Sequence, residues 1–480
     1  DCGGGCDAGG ELMFAKLLAW IKEVWNKMIG QSTVKEALRV DIAVSAPMAE
    51  ALQTWSAMYE NKASWLTKDI RSLNLPAAIA GEIARAVTIE MQVEFTGGPR
   101  ADFLSAEFER VMDALREKVE VGVAKGGLML KPYVNGGRID VDFVQADQFY
   151  PVAFDANGNI TSCIFADQRT IGDKYYTRLE FHAMSEAGVE IRNLAYRSTS
   201  RDTLGVQIPL TDVPAWADLL PEATITGVDR PLYAYFRYPL ANNVDPNSPL
   251  GVSCYSRAVD LIRDADVQWS NLLWEFESGK RAIYVDELAF GKDADGVSKL
   301  PDRRLYHTLN QGGEIGAEEM FHEWSPEFRE ASIISGLDAM LKKIEYSCGL
   351  AYGTLSDPQQ IDKTATEIKS SKQRTAATIT DTQKALQNAL EQLLWAMGVW
   401  ATIGGLAPMG SYQTAFDFDD SVVVDRDMQF KQDLQLVGSG IMSKVEWRMR
   451  NFKETEAVAK AKIAAVQAEQ PQEDDLFKGA

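Results

Sequence analysis

The sequence predicts an α+β chain, mostly helical. Three observations carry that reading. Apolar residues recur every third or fourth position over several long stretches, the period of a helix with one buried face. Between residues 128 and 198 the period switches to two, with Gly- and Asn-containing turns between the runs. The composition is ordinary for a globular protein, 46% hydrophobic and 25% charged over 480 residues. A real core is therefore expected, in roughly two to four domains or one elongated, segmented subunit.

In chain order, residues 1–12 (DCGGGCDAGG and two more) read as a leader that need not be native, because Met13 opens a stretch like a natural beginning. Met13–Met28 is amphipathic, with Phe14, Leu17, Leu18, Ile21, Val24, Trp25 and Met28 at helical spacing and Lys16, Lys22 and Lys27 on the polar side. Packing on its own protein or a neighbouring subunit is preferred over a membrane surface. Three helices are expected next: Pro47–Tyr59, Leu75–Glu94 and Ala101–Lys125, the last stopped by Gly126–Gly127. Leu128–Tyr133, Arg138–Val144, Ile160–Arg169, Tyr175–Ala183 and Glu190–Ser198 read as strands. Asn135–Gly137 and Asn157–Asn159 mark tight turns. Asp155, Asn157 and Asn159 imitate the start of a calcium loop, but Ile160 stands where glycine is needed and the closing Glu is missing.

Pro209–Pro231 reads as an irregular connector, Leu232–Tyr238 as a strand and Pro239–Gly251 as a long loop. Ser253–Glu277 reads as a long helix. A compact β insert follows, with strands at Ala282–Val285 and Leu305–Leu309 and Gly-rich turns at 291–296 and 311–316; a second helix returns at Glu330–Cys348. Ala351–Lys363 is a loop, and Thr364–Thr402 a very long helix whose first half is polar nearly all round. A helix polar on every side must border water or polar partners. Residues 413–424 read as strand, Arg426–Gln470 as helical, and Pro471–Ala480 as a short, acidic, disordered tail.

Motifs of chemistry are missing. The chain has three histidines, His182, His307 and His322, none with another histidine or a cysteine at metal-ligand spacing. No GxSxG, GxxxxGK[ST] or HExxH occurs, and no GxGxxG leads into a helix. Acidic pairs such as Asp264/Asp266 and Asp419/Asp420 read as solvated faces in a chain with 69 acidic residues. Five cysteines, with Cys2 and Cys6 in the leader and Cys163, Cys254 and Cys348 far apart, do not form a secreted disulfide pattern. No catalytic residue, metal site or cofactor is expected. No apolar run reaches the ~18 residues of a transmembrane helix.

The segment order, with four local runs, resembles phage portal proteins, in a siphophage branch of the portal and head–tail connector superfamily. Asn242–Leu261 (NNVDPNSPLGVSCYSRAVDL), with its Pro-Leu-Gly-x-Ser turn, looks like the family's approach to its first stem helix. Lys363–Lys369 (KTATEIK), Phe416–Asp425 (FDFDDSVVVD) and Gly440–Ser443 (GIMS) resemble signatures of that branch. The resemblance covers about residues 13–470 and leaves the leader without a counterpart.

The resemblance implies a segmented architecture of wing, stem, clip and crown. Residues 13–250 would be N-terminal helices and wing, 251–278 the first stem helix, 279–325 the clip and 326–350 the second stem helix. Residues 351–376 would be the tunnel loop and the start of the long helix, and 377–470 the rest of that helix, C-terminal wing and crown, ahead of the tail 471–480. It further implies a ring, usually of about twelve subunits, at one capsid vertex, with terminase large subunit, head–tail adaptor, major capsid and scaffold proteins as partners and no stable membrane insertion. The place of work would be the virion, and the host cytoplasm during assembly.

The net charge of −20 argues against a DNA binder but suits a DNA conduit, which must not grip phosphate along its length. Cations placed where DNA passes would be Lys363, Lys369, Lys372 and Arg374. Lys280, Arg281, Arg303 and Arg304 are candidates at the clip. Trp269, Trp274 and Trp324 are candidate anchors between subunits. The alternatives for these residues are ordinary surface charges, ion pairs between subunits, and aromatics filling the core. The alternative functions are another viral structural ring or scaffold protein, a metal-dependent nuclease built on clustered carboxylates, and a membrane-surface protein using residues 13–28.

Overall fold

The computed structural model of the protein describes residues 31–89, 91–280, 282–286, 306–309, 321–324, 327–357, 365–418, 426–452 and 454–469. The leader, the amphipathic segment 13–28, the turns at 291–296 and 311–316 and the tail 471–480 lie outside the described residues. The chain divides into two compact units, Asp1–Asp417 and Phe418–Ala480.

Unit one opens with α1 (Gln31–Leu38), α2 (Ala46–Tyr59) and α3 (Leu75–Thr88). Proline in the first turn of α2 and of α3 fits the one helical position where its missing N–H costs nothing. Sequence periodicity carried α3 on to Glu94. Instead β1 (Met91–Gly97) begins there, because Met91, Val93 and Phe95 alternate with the exposed Gln92 and Glu94. The helix α4 (Pro99–Lys125) buries Leu104, Phe108, Val111, Leu115 and Val119. It ends at Gly126, whose φ of +85° and whose closeness to the carbonyl of Gly251, 2.7 Å from where a Cβ would sit, both exclude a side chain.

The hairpin of β2 (Gly127–Asn135) and β3 (Arg138–Gln145) turns at Gly136–Gly137, as expected. An antiparallel meander follows: β4 (Phe149–Phe154), β5 (Ile160–Ile171), β6 (Lys174–Ser185) and β7 (Gly188–Ser198), extended by β8 (Val206–Ile208). Strand β4 was not foreseen. It contains Pro151, tolerated because β4 is the sheet edge and its register shifts after that residue. Strand β9 (Glu222–Thr226) lies inside the segment read as an irregular connector and pairs with β7. Strand β10 (Ala234–Arg237) joins β2, giving a second sheet in the order β10-β2-β3.

The long loop to residue 251 is held by Asn242, whose Oδ1 accepts the N–H groups of Val244 and Asp245 at 3.0 and 2.9 Å, while its Nδ2 reaches the Leu250 carbonyl at 3.2 Å. The next helix, α5 (Val259–Ser278), starts six residues later than Ser253. The backbone before it is already committed: the Cys254 N–H donates to the Val123 carbonyl and the Tyr255 hydroxyl to the Trp55 carbonyl. Three short strands, β11 (Ala282–Asp286), β12 (Tyr306–Leu309) and β13 (Phe321–Trp324), form a sheet centred on β11, parallel to β12 and antiparallel to β13. Strand β13 was not foreseen. The chain returns through α6 (Glu330–Ser347), which packs on α5, and enters α7 (Ala365–Ile403) and β14 (Tyr412–Phe418), the partner of β1.

Helix α7 is the central post of unit one. Its C-terminal half buries Leu386, Leu390, Leu393, Leu394 and Met397 against β2, β10, α3 and α4. Strand β2 is correspondingly apolar on both faces, with Leu128, Met129 and Leu130 all buried. The two larger sheets meet at a buried ionic cluster. Lys131 of β2 donates to Glu180 of β6 at 2.6 Å, and the same carboxylate takes Arg178 at 3.0 Å and His182 at 2.7 Å. Burial alone would raise the Glu180 pKa, but Lys131, His182 and Arg178 together hold it well below the usual range.

Unit two carries α8 (Arg426–Gly438), α9 (Lys444–Phe452) and α10 (Glu456–Glu469), three helices where sequence reading ran one segment. The break has a local cause. Ser443 and Glu446 form a reciprocal capping box, 2.9 and 3.0 Å, that starts α9 afresh. Phe430, Trp447 and Phe452 pack ring on ring, with Phe430 and Phe452 still exposed, and Asp433, almost fully buried, pairs with Arg450 and Asn451.

Candidate functional site

Helices α5 and α6 lie side by side, carry the three-stranded insert at one end, and deliver the chain at the other end into a loop and the polar start of α7. Four buried carboxylates organise these joints. Asp266 of α5 accepts the Trp65 indole N–H at 2.9 Å and the Leu73 N–H at 2.8 Å, and burial raises its pKa. The expectation that Asp264/Asp266 form a solvated pair is thus half right: Asp264 is exposed beside Arg263, whereas Asp266 is 2% exposed and ties α5 to the loop before α3. Asp419/Asp420 lie outside the described residues.

Glu275, near the end of α5, accepts the backbone N–H of Arg329 at 2.9 Å and grips its guanidinium at 3.2 and 2.8 Å. Those bonds hold its pKa down and clamp the two strands of chain entering and leaving the insert. Asp338 of α6 accepts the Asp357 N–H at 2.9 Å and pairs with Lys342 at 2.5 Å. Glu345, fully buried, accepts the N–H groups of Gly353, Leu355 and Ser356 at 3.1, 2.6 and 2.8 Å. No sequence signal marks these four. Each sits on an amphipathic helix at a position that periodicity alone assigns to either face.

Helix α6 ends in a Schellman motif, with the Leu350 N–H on the Glu345 carbonyl at 2.8 Å and the Gly349 N–H on the Tyr346 carbonyl at 3.3 Å. Gly349 has φ of +73°, and a Cβ there would meet the Thr378 hydroxyl of α7 at 2.4 Å, so α6 and α7 approach each other closely at this glycine.

The predicted cations fall in different settings. Lys372 is exposed on α7. Arg374 is half-buried, its guanidinium stacked over Tyr346 at 4.4 Å and Tyr352 at 5.7 Å, with Nη1 buried and unbonded. Lys369 lies on α7, but its side chain is outside the described residues, as is Lys363 altogether. Lys280 is exposed and bonded to Glu277 at 2.7 Å, which lowers that glutamate's pKa. Arg281, Arg303 and Arg304 lie outside the described residues. Of the tryptophans, Trp274 is 65% exposed, Trp269 is half-buried, and Trp324 ends β13 with its side chain outside the described residues. Phe276 and Phe328 stack at 6.0 Å beside Trp274's helix end, both largely exposed.

Among the described residues no group of three His, Cys, Asp or Glu side chains is arranged to hold a metal, and no helix is long and apolar enough to cross a membrane. His182 is buried in the ionic cluster. His307 and His322 both stand in register with Tyr284, on either side of β11. Cys163, Cys254 and Cys348 are buried free thiols whose pKa values burial pushes up, the opposite of a reactive cysteine.

A protein-family model described as "Phage portal protein, SPP1 Gp6-like" matches residues 102–475, the greater part of the chain. No curated protein matches it.

Proposed function

We propose that this chain, which belongs to the SPP1 Gp6-like family of phage portal proteins, is one subunit of a closed ring of about twelve copies at a single capsid vertex. That ring is the channel through which double-stranded DNA is packaged and later ejected. In this reading residues 13–250 make the N-terminal helices and wing, 251–278 and 326–350 the two stem helices, and 279–325 the clip. Residues 351–376 make the tunnel loop and the start of the long helix, and 377–470 its continuation, C-terminal wing and crown. The clip docks first the terminase large subunit and then the head–tail adaptor; the outer surface meets major capsid and scaffold proteins. The protein works in the virion, after assembly in the host cytoplasm, as a structural element rather than an enzyme.

The observation that carries this reading is the family match spanning a helix, a three-stranded insert and a second helix, followed by a loop and a 39-residue helix. Charge supports it. About twelve copies at −20 give the ring roughly −240, a field that keeps phosphate from adhering to the walls except where cations stand. Lys363, Lys369 and Lys372 are proposed to supply such cations at the tunnel loop without reading sequence. Arg374, stacked on two tyrosines, is proposed to brace the loop more than to meet DNA. Lys280, Arg281, Arg303 and Arg304 serve the clip, and Trp269, Trp274 and Trp324 anchor neighbouring subunits. The native mass of the purified protein, with negative-stain images of the same fraction, tests the reading: a closed ring with a central hole is expected. A compact dimer that cleaves DNA with Mg²⁺ would overturn it in favour of the nuclease.

A further inference from the structure

Glu345 stands where helix physics disfavours it. It occupies the last turn of α6, where the macrodipole repels an anion, and it is fully buried, which penalises an anion again. What compensates is one set of donors, all from the loop that follows: the N–H groups of Gly353, Leu355 and Ser356 on Oε1, and the Ser356 hydroxyl shared between Oε1 and Oε2 at 3.1 and 3.0 Å. Two turns earlier, Asp338 takes the next amide, that of Asp357. Four consecutive or near-consecutive backbone donors thus converge on two carboxylates of one helix face. Such a residue contributes little to the helix and a great deal to the loop.

We propose that Glu345, assisted by Asp338, is a positioning residue. It locks residues 353–357, the start of the tunnel loop, into one conformation on α6, so that this segment moves with the second stem helix as a rigid extension of it. The proposal rests on the portal reading for its role in DNA passage, but not for the lock itself. The lock uses charge and acceptor geometry, not side-chain volume, so an isosteric apolar residue cannot replace it.

The test is a graded series, E345Q, E345M and S356A, in the full-length protein. Hydrogen exchange of peptides covering 350–357 reads the lock, native mass reads assembly, and DNase-protected DNA in a reconstituted packaging reaction reads the role. E345M removes the acceptor from three amides, of which Gly353 keeps a second one in the Ser356 hydroxyl at 3.1 Å while Leu355 and Ser356 lose theirs, and exchange is expected to rise on the order of ten- to a hundredfold. E345Q keeps Oε1 as acceptor and is expected to rise about tenfold or less. Packaging should fall in the same order while ring mass stays that of the wild type. Wild-type exchange in E345M would overturn the lock. Raised exchange with full packaging would overturn the positioning role. Should E345M not fold, S356A and E345Q decide by exchange and packaging. A wild-type protein that forms no ring removes the channel role together with the portal reading, and exchange then still decides whether Glu345 holds the loop.

Discussion

Replacing Glu180 by Gln isolates the ionic cluster that joins the two larger sheets. The carboxylate is 12% exposed and faces three donors, Lys131 at 2.6 Å, His182 at 2.7 Å and Arg178 at 3.0 Å. Removing the anion leaves Lys131, 7% exposed, with Asp142 at 3.6 Å, and Arg178 with Asp167 at 4.0 Å and the Asn193 side-chain oxygen at 3.2 Å. Breaking a buried pair from one side costs about 3–5 kcal/mol. The two remaining carboxylates place E180Q at the low end, about 3 kcal/mol at pH 7. Urea unfolding followed by tryptophan fluorescence measures it as a lower midpoint with an unchanged slope. The pH dependence fixes the cause. The folded-state pKa of Glu180 lies well below its ordinary value of 4.5. Its contribution is therefore complete above about 4.5 and is lost as pH falls from there toward and through the folded value. The gap between wild type and E180Q should narrow as pH falls below about 4.5. A gap under about 1 kcal/mol at pH 7, or one that does not narrow in acid, would refute the reasoning.

Arg374→Lys keeps the charge but loses the planar stack on Tyr346 and Tyr352; differential scanning fluorimetry should show a loss of about 1–2 kcal/mol, and a Tyr346→Ala background should abolish most of that difference. Gly126→Ala forces a Cβ to 2.7 Å from the Gly251 carbonyl at a positive φ, and should cost about 2 kcal/mol or more in chemical denaturation. Trp274→Ala should leave subunit stability within about 0.5 kcal/mol, since the ring is 65% exposed, yet reduce the ring fraction in native mass spectrometry.

Much of the architecture was legible because it rests on local periodicity. Helix α4, the meander from β5 to β7, the helix–insert–helix centre and the polar-then-apolar halves of α7 follow from spacing of three to four or of two, which each residue's neighbours enforce whatever the rest of the chain does. The errors fall where distant partners decide. Met91–Gly97 is a strand because β14, more than 300 residues on, pairs with it; β9 exists because β7 offers an edge; and α5 starts late because Val123 and Trp55 claim the backbone ahead of it. The same division runs through the site. Sequence by itself determined the family and the net charge, and it offered a short list of cations as candidates. Only the tertiary structure turned Arg374 onto two tyrosines and Asp266, Glu275, Asp338 and Glu345 inward. A carboxylate's burial is settled by which backbone amides reach it, and those amides come from segments whose approach no residue spacing records.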